Sequence, residues 1–450
     1  MSHAHSGAEM KLGKQNIELG GNAAGMQMGM GVLFLVGVGG AAAMFASGNV
    51  ESSFFWKSYL QNVIFLIAIS LGGLFFVFVQ HLTRAGWSVA VRRPAEILAA
   101  NLRWIWVLFL PIAYLYFIKG QGSQIWPWAD MATMRAHAPA EADLVERKMG
   151  FFTFRDAAHN PILFHGSFFW IRAVAYFVVW GALSHFFYSN SLKLGATGDV
   201  GITKRMQLVA APAAILFALS ATFAAFDWMM SISPAWFSTM FGVYFFAGCC
   251  TVGFSALILT CVLLQSTGAL KGVISLEHYQ DLGKLLFAFG MVFWAYIGFS
   301  QYMLIWYANI PEETGWFLAR QIGDWVWLSV FLLAGHFILP FVAFISKWPK
   351  RMPAILAAGA VWMLFVGWMD LYWLIQPEVP VGLEHVKRYS ELDAAFPEHT
   401  ATHLLQPTNW LLLAGMVGLY GMMTIRELRR APLLCVKDPR VGESLAFENM

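Results

Sequence analysis

Hydrophobic residues in this chain come in long continuous runs rather than in short alternating stretches. Ten such runs lie at about 26–46, 58–81, 97–118, 164–188, 206–230, 236–265, 283–308, 324–346, 353–375 and 407–425. Each is close to or above the ~20 residues that carry a helix across a ~30 Å hydrocarbon core. Backbone groups in lipid must be paired within the protein, so spans are helices or closed barrels. The runs lack the polar alternation of a barrel strand. The pattern predicts an all-α polytopic membrane protein of about ten transmembrane helices. The fifth and sixth runs are joined tightly through Ser231-Ile232-Ser233-Pro234, and Pro234 suits the first turn of the following helix.

Composition agrees: 58% of residues are hydrophobic and 12% are charged, where a soluble domain carries about 25% charged residues. Residues 1–25 are polar, with Glu9, Lys11, Lys14 and Glu18, and do not read as a secretory signal. They are expected to form an attached tail. Charge then orients the chain. Arg92, Arg93, Lys204, Arg205, Lys347, Lys350, Arg351, Arg429 and Arg430 fall on the side of the N-terminus and the even-numbered loops. Short basic loops face the cytoplasm, so both termini are expected inside. Two long loops, 119–163 and 376–406, then lie outside. They carry acids such as Asp130, Glu141, Asp143, Glu146, Glu384, Glu391, Asp393 and Glu398. Each is either a landing surface for an extramembrane partner or a solvated loop.

Cysteine usage excludes several chemistries. Cys249, Cys250 and Cys261 share one apolar run, and Cys435 stands apart. There is no haem-attachment motif and no iron–sulfur spacing. There is also no phosphate-binding or dinucleotide fingerprint, and nothing calls for a nucleic-acid partner. No metal or redox cofactor is expected on this chain.

The fifth run ends Phe226-Asp227-Trp228-Met229-Met230-Ser231-Ile232-Ser233-Pro234, and the ninth ends Met369-Asp370-Leu371-Tyr372-Trp373-Leu374-Ile375-Gln376-Pro377. Both place Ile five and Pro seven residues after the Asp. His185-Phe186 and His336-Phe337 correspond more weakly in the fourth and eighth runs. A shift of four spans keeps the copies parallel, which suggests a duplicated four-helix unit. The expected organisation is a tail 1–25, a first peripheral span and outer loop 26–57, and a first bundle 58–235 that includes the loop 119–163. A second bundle 236–376, an outer loop 377–406, and a last span with a basic tail 407–450 follow.

Ionisable residues within spans need a partner or a watery cavity. The candidates are Arg103, His165, Arg172, His185, Asp227, Asp324, His336 and Asp370, with Gln61, Asn62, Gln301 and Asn309 as neutral polar groups. Arg172 and Asp227 either form a buried ion pair or join His165, Gln301, His336 and Asp370 in a proton path or quinol site. His185 reads as interfacial, Asp324 as a helix cap, and Arg103 as a snorkelling cation. Paired histidine ligation of haem needs two rings at one depth on facing helices, which His165, His185 and His336 do not offer.

The segments 226–242, 302–314 and His336-Phe337-Ile338-Leu339-Pro340-Phe341 resemble the polysulfide-reductase (NrfD-like) membrane-subunit family. Within it they resemble the second quinol-oxidoreductase membrane subunit of bacterial alternative complex III. The resemblance covers roughly 26–425. It implies two four-helix bundles in a complex that oxidises menaquinol. Partners would be a related quinol-binding membrane subunit, an iron–sulfur subunit, multihaem cytochrome c subunits and a terminal oxidase. Haem c and iron–sulfur clusters would sit in those partners. The expected function is that of a non-catalytic platform with a proton-conducting path. The alternatives are direct menaquinol binding near His165 and Asp227, and an independent secondary transporter.

Overall fold

The computed structural model describes residues 17–20, 23–156, 159–380, 382, 383, 386 and 389–449. Glu9, Lys11, Lys14 and Glu384 lie outside the described residues, so the readings that used them do too. Among the described residues, nine helices are long and apolar enough to span a membrane, and one bent pair makes a tenth. They are α1 (Ala23–Ala46), α2 (Ser52–Leu82), the bent α3 (Val89–Arg103 with Ile105–Phe117), α4 (Ser167–Thr197) and α5 (Val200–Trp228). They continue with α6 (Phe241–Ser266), α7 (Leu276–Ala308), α8 (Asp324–Phe344), α9 (Pro353–Ile375) and α10 (Pro407–Leu428). The protein is an all-α, multi-pass membrane protein.

Helix contacts close two rings. α2 packs on α3, α3 on α4, α4 on α5, and α5 returns to α2; α6 to α9 close in the same order. The rings meet where α2 crosses α6, flanked by α5 on α6 and α2 on α9. α2 is therefore the core helix, with 89% of its most apolar window buried, against 11% for α1. The close α2–α6 approach depends on glycine. A Cβ on Gly72 would collide with the Cys249 carbonyl, and one on Gly253 would lie 2.5 Å from the Gly72 Cα. Small residues let membrane helices approach closely where burial gives no hydrophobic drive. α1 packs on α10 outside both rings.

The single third span expected at 97–118 is broken. Its two halves meet at 43°, and Trp104 leaves helical geometry with φ −124°. Side chains take the carbonyls that the break frees. Asn101 and Tyr420 donate to the Leu98 oxygen at 3.3 and 3.2 Å, Arg103 Nε to Ala100 at 2.9 Å, and Tyr59 to Leu108 at 2.9 Å. Lipid cannot satisfy such groups, so the protein must. α7 and α8 loosen in another way, into π-helical turns at Leu286–Phe293 and Leu333–Ile338.

α6 begins at Phe241, not beside Pro234. Tertiary contacts override the local proline preference here. Lys148 Nζ donates to the carbonyls of Pro234 and Ala235 at 3.1 and 2.7 Å. Trp236 stacks on Trp316 at 4.3 Å and donates to the Glu313 carbonyl.

The loop 119–163 is not merely solvated. It carries helices Met131–His137 and Pro139–Lys148, and buries Trp126 and Trp128 over the first ring. Trp126 donates to the Trp228 carbonyl at the end of α5. On the opposite, basic face the tail after α10 folds back instead of hanging free. Asp438 pairs with Arg92, and Ser444 joins the Trp87 carbonyl, the Ala90 amide and His278.

Candidate functional site

In the first ring, α4 presents Arg172 and Tyr176 one turn apart, and α5 ends beside them with Asp227. Arg172 Nε and Nη2 donate to the two Asp227 oxygens at 2.8 and 2.6 Å. Tyr176 adds a third donor at 2.6 Å. Arg172 Nη2 also reaches the Phe151 carbonyl at 2.7 Å, tying the pair to the long loop. A fork of this kind is the strong, geometrically specific form of ion pair. His165 does not join it. Its Nε2 lies 3.2 Å from the Trp128 carbonyl, in the turn before α4.

In the second ring, Asp370 is buried on α9 and meets no cation. Tyr244 of α6 donates to Oδ1 at 2.6 Å, and Trp294 of α7 donates to Oδ2 at 3.1 Å. The other face of Trp294 stacks on His336 of α8, with centroids 3.7 Å apart and planes within 12°. His336 is fully buried. Its Nε2 lies 3.1 Å from the Gly290 carbonyl and 3.2 Å from the Thr251 hydroxyl. A carbonyl only accepts, so Nε2 carries the proton, and Nδ1 is a buried acceptor with no partner. Gly290 lies in the π turn of α7, and Thr251 also donates to its oxygen at 2.8 Å. Such turns recur at functional sites.

Beside this cluster a cavity of 610 Å³ opens between α7 and α8. Tyr244, Trp294, Gln301 and Arg320 supply its polar wall. Gln301 is buried and its Oε1 has no partner. Arg320, in the turn between α7 and α8, is only 1% exposed and was not among the candidates read from the sequence. It donates to the carbonyls of Trp316, Trp373 and Leu374 at 2.8, 3.0 and 3.0 Å. Its guanidinium lies 3.3 Å from the Trp316 ring centroid and 4.9 Å from that of Trp373. Burial draws its pKa down, while the facing Tyr244 oxygen acts the other way. The carbonyl end of α9 and two aromatic faces hold it as a cation. The available signal was the spacing Trp316-x-x-x-Arg320 just before a span.

The remaining candidates are structural or peripheral. Gln61 and Asn62 bind the Trp368 carbonyl and indole, and Asn62 also meets Asn409. They join α2 to α9 and α10. Asn309 ends α7 in the left-handed conformation, φ 49°. Asp324 is exposed at the first position of α8, where its backbone amide donates to Thr400. His185 is exposed on α4, unlike the buried His336 with which the repeat aligned it. Arg103 pairs with Glu427 of α10 at 3.2 Å. In the loop after α9, the Glu378 carboxyl is held below its usual range by the ammonium of Lys57. Among the described residues, no three His, Cys, Asp or Glu side chains are grouped to hold a metal ion.

No family model matches the chain, and no curated protein matches it either. The functional reading therefore rests on the side-chain geometry and on the motif resemblance.

Proposed function

We propose that this chain is an integral membrane subunit of a respiratory quinol:electron-acceptor oxidoreductase of the alternative complex III type. It serves as a membrane platform and carries a protonatable path in its second ring. Iron–sulfur and multihaem cytochrome c partners would hold the redox cofactors and dock on the long-loop face. The basic face, with both termini, would be cytoplasmic in a bacterial inner membrane.

The observation that carries the reading is Asp370. It is buried in a span yet held only by neutral donors, with His336 stacked behind Trp294. Charges are retained inside membranes where they serve transport or redox work. Protonating Asp370 strands no fixed cation, whereas protonating Asp227 would leave Arg172 buried beside a neutral acid. The second ring is thus the better place for a proton to be taken up and released. The test is Asp370→Asn in the intact complex. Proton release coupled to quinol oxidation should fall at least about tenfold, with the subunit complement unchanged. Unaltered proton release with normal turnover would overturn the path.

A second reading, direct quinol binding, is favoured by the α7–α8 cavity. The unpartnered Gln301 oxygen is an acceptor for a ring hydroxyl, and the opening faces lipid. This moves the site away from His165 and Asp227. Menaquinone retained on purification and lost in Gln301→Leu would support it, and retention in that variant would count against it.

A further inference from the structure

A groove of 720 Å³ runs between α3 and α4, opened by the break at Trp104 that tilts the far half of α3 away. Trp106, Phe109 and Leu110 line one wall, and Val174, Phe177 and Val178 the other. Several of these are exposed on the surface that faces lipid, Val174 at 63% and Val178 at 62%. Arg103 is the one charged residue in the lining. At that end Gly181 of α4 lies beside the Leu102 carbonyl, where a Cβ would make ordinary van der Waals contact at 3.7 Å.

Arg103 lies near the basic-face end of the bundle, at the break in α3. Its partner Glu427 belongs to the last turn of α10, and Arg430 reaches the same carboxylate at 4.0 Å. Two guanidinium groups around one carboxylate leave a net positive charge. Arg103 Nε donates to Ala100, Nη2 faces Glu427, and the cation lies 5.1 Å from the Tyr188 ring centroid. Among the described residues Nη1 meets no hydrogen-bond acceptor, so its hydrogens can serve an anion arriving from outside. From Gly181 to Trp170 the α4 wall is about 16 Å long at ~1.5 Å per residue. That matches one leaflet, half of a ~30 Å hydrocarbon core.

We propose that the α3–α4 groove is a binding site for one anionic phospholipid, with its phosphate on Arg103 and an acyl chain along Trp170–Gly181. The site is independent of the proposed function, since neither Asp370 nor the α7–α8 cavity contributes to it. It gives the break in α3 a role: the tilt makes room for a chain, and the guanidinium beside it selects the headgroup.

The test uses the full chain purified in mild detergent and reconstituted with mixed phosphatidylglycerol and phosphatidylcholine. Native mass spectrometry then counts retained lipid. Wild type should keep one phosphatidylglycerol in preference to phosphatidylcholine. Arg103→Gln should reduce that preference at least about tenfold, the scale of one charge-assisted hydrogen bond, and Arg103→Lys should restore part of it. Val174→Trp, which fills the groove from its lipid-facing wall without touching Arg103, should abolish retention of either lipid. Retention unchanged in both Arg103→Gln and Val174→Trp would overturn the site. Equal retention of the two lipids by wild type, or a quinone in their place, would also overturn it.

Discussion

The two rings hold their acids in almost the same way, and the difference lies in one partner. Asp227 and Asp370 each accept a tyrosine hydroxyl at 2.6 Å, near the long-loop end of a helix. Asp227 adds the Arg172 guanidinium, while Asp370 adds an indole N–H. The second ring does contain a buried cation at the corresponding end. Arg320, however, spends its hydrogen bonds on carbonyls at the end of α9 rather than on the acid. Fixing an acid with a permanent cation builds a joint, and surrounding it with neutral donors leaves it free to change protonation. The lipid-facing grooves diverge similarly. The α3–α4 groove is apolar with one charge at its end, whereas the α7–α8 cavity has a polar back wall.

The comparison predicts a graded set of losses. Arg172→Leu should be the most costly, about 3–5 kcal/mol, because it leaves a buried carboxylate without its cation. Thermal unfolding in detergent would measure it, and adding Asp227→Leu should recover part of the loss. If the double variant is no better than the sum of the singles, the pair is not the joint described here. Arg320→Met should cost about 2–3 kcal/mol, since three carbonyls lose their donor together. It should leave assembly of the first ring intact, as reported by protection of Arg172 and Tyr176 from labelling. Asp370→Asn should cost only about 1 kcal/mol. The amide oxygen still accepts from one donor, while the amide nitrogen faces the other. Its effect belongs on proton-coupled turnover, and a stability loss as large as that of Arg172→Leu would erase the contrast between the rings.

The smallest effect concerns pH. Lys57 draws the Glu378 carboxyl below its unfolded value. That contribution is fully present above the unfolded pKa and is lost as pH falls through the lower folded value. Glu378 is half exposed, so solvent screens the pair. Acid should therefore loosen the loop after α9 as Glu378 loses its charge. Proteolysis of that loop as a function of pH would show it, and Glu378→Gln should remove the dependence.

Span number and class were legible because uninterrupted apolar runs admit one solution in lipid. Several helices extend a turn or two past the apolar stretch, since backbone bonding continues where hydropathy stops. The break at Trp104 was hidden: two of the side chains that take its carbonyls, Tyr59 and Tyr420, are distant in sequence. The late start of α6 was hidden for the same reason, because Lys148 and Trp316 outvote Pro234. Among site residues, the burial of Asp370 and His336 followed from position in the spans, while the Arg172–Asp227 pair stood as one of two open readings. What could not be read was which acid receives the cation. The bland spacing of Arg320 concealed a buried guanidinium, and His165 looked closer to Asp227 in depth than the turn before α4 allows.

The central claim is that this chain works as the membrane platform of a redox complex. The most direct test is to purify the tagged chain from its native membrane in mild detergent, with mass spectrometry and an optical spectrum of the eluate. The account predicts co-purifying iron–sulfur and multihaem subunits and the absorption bands of c-type haem. A colourless eluate containing this chain alone would contradict it and favour a self-contained transporter.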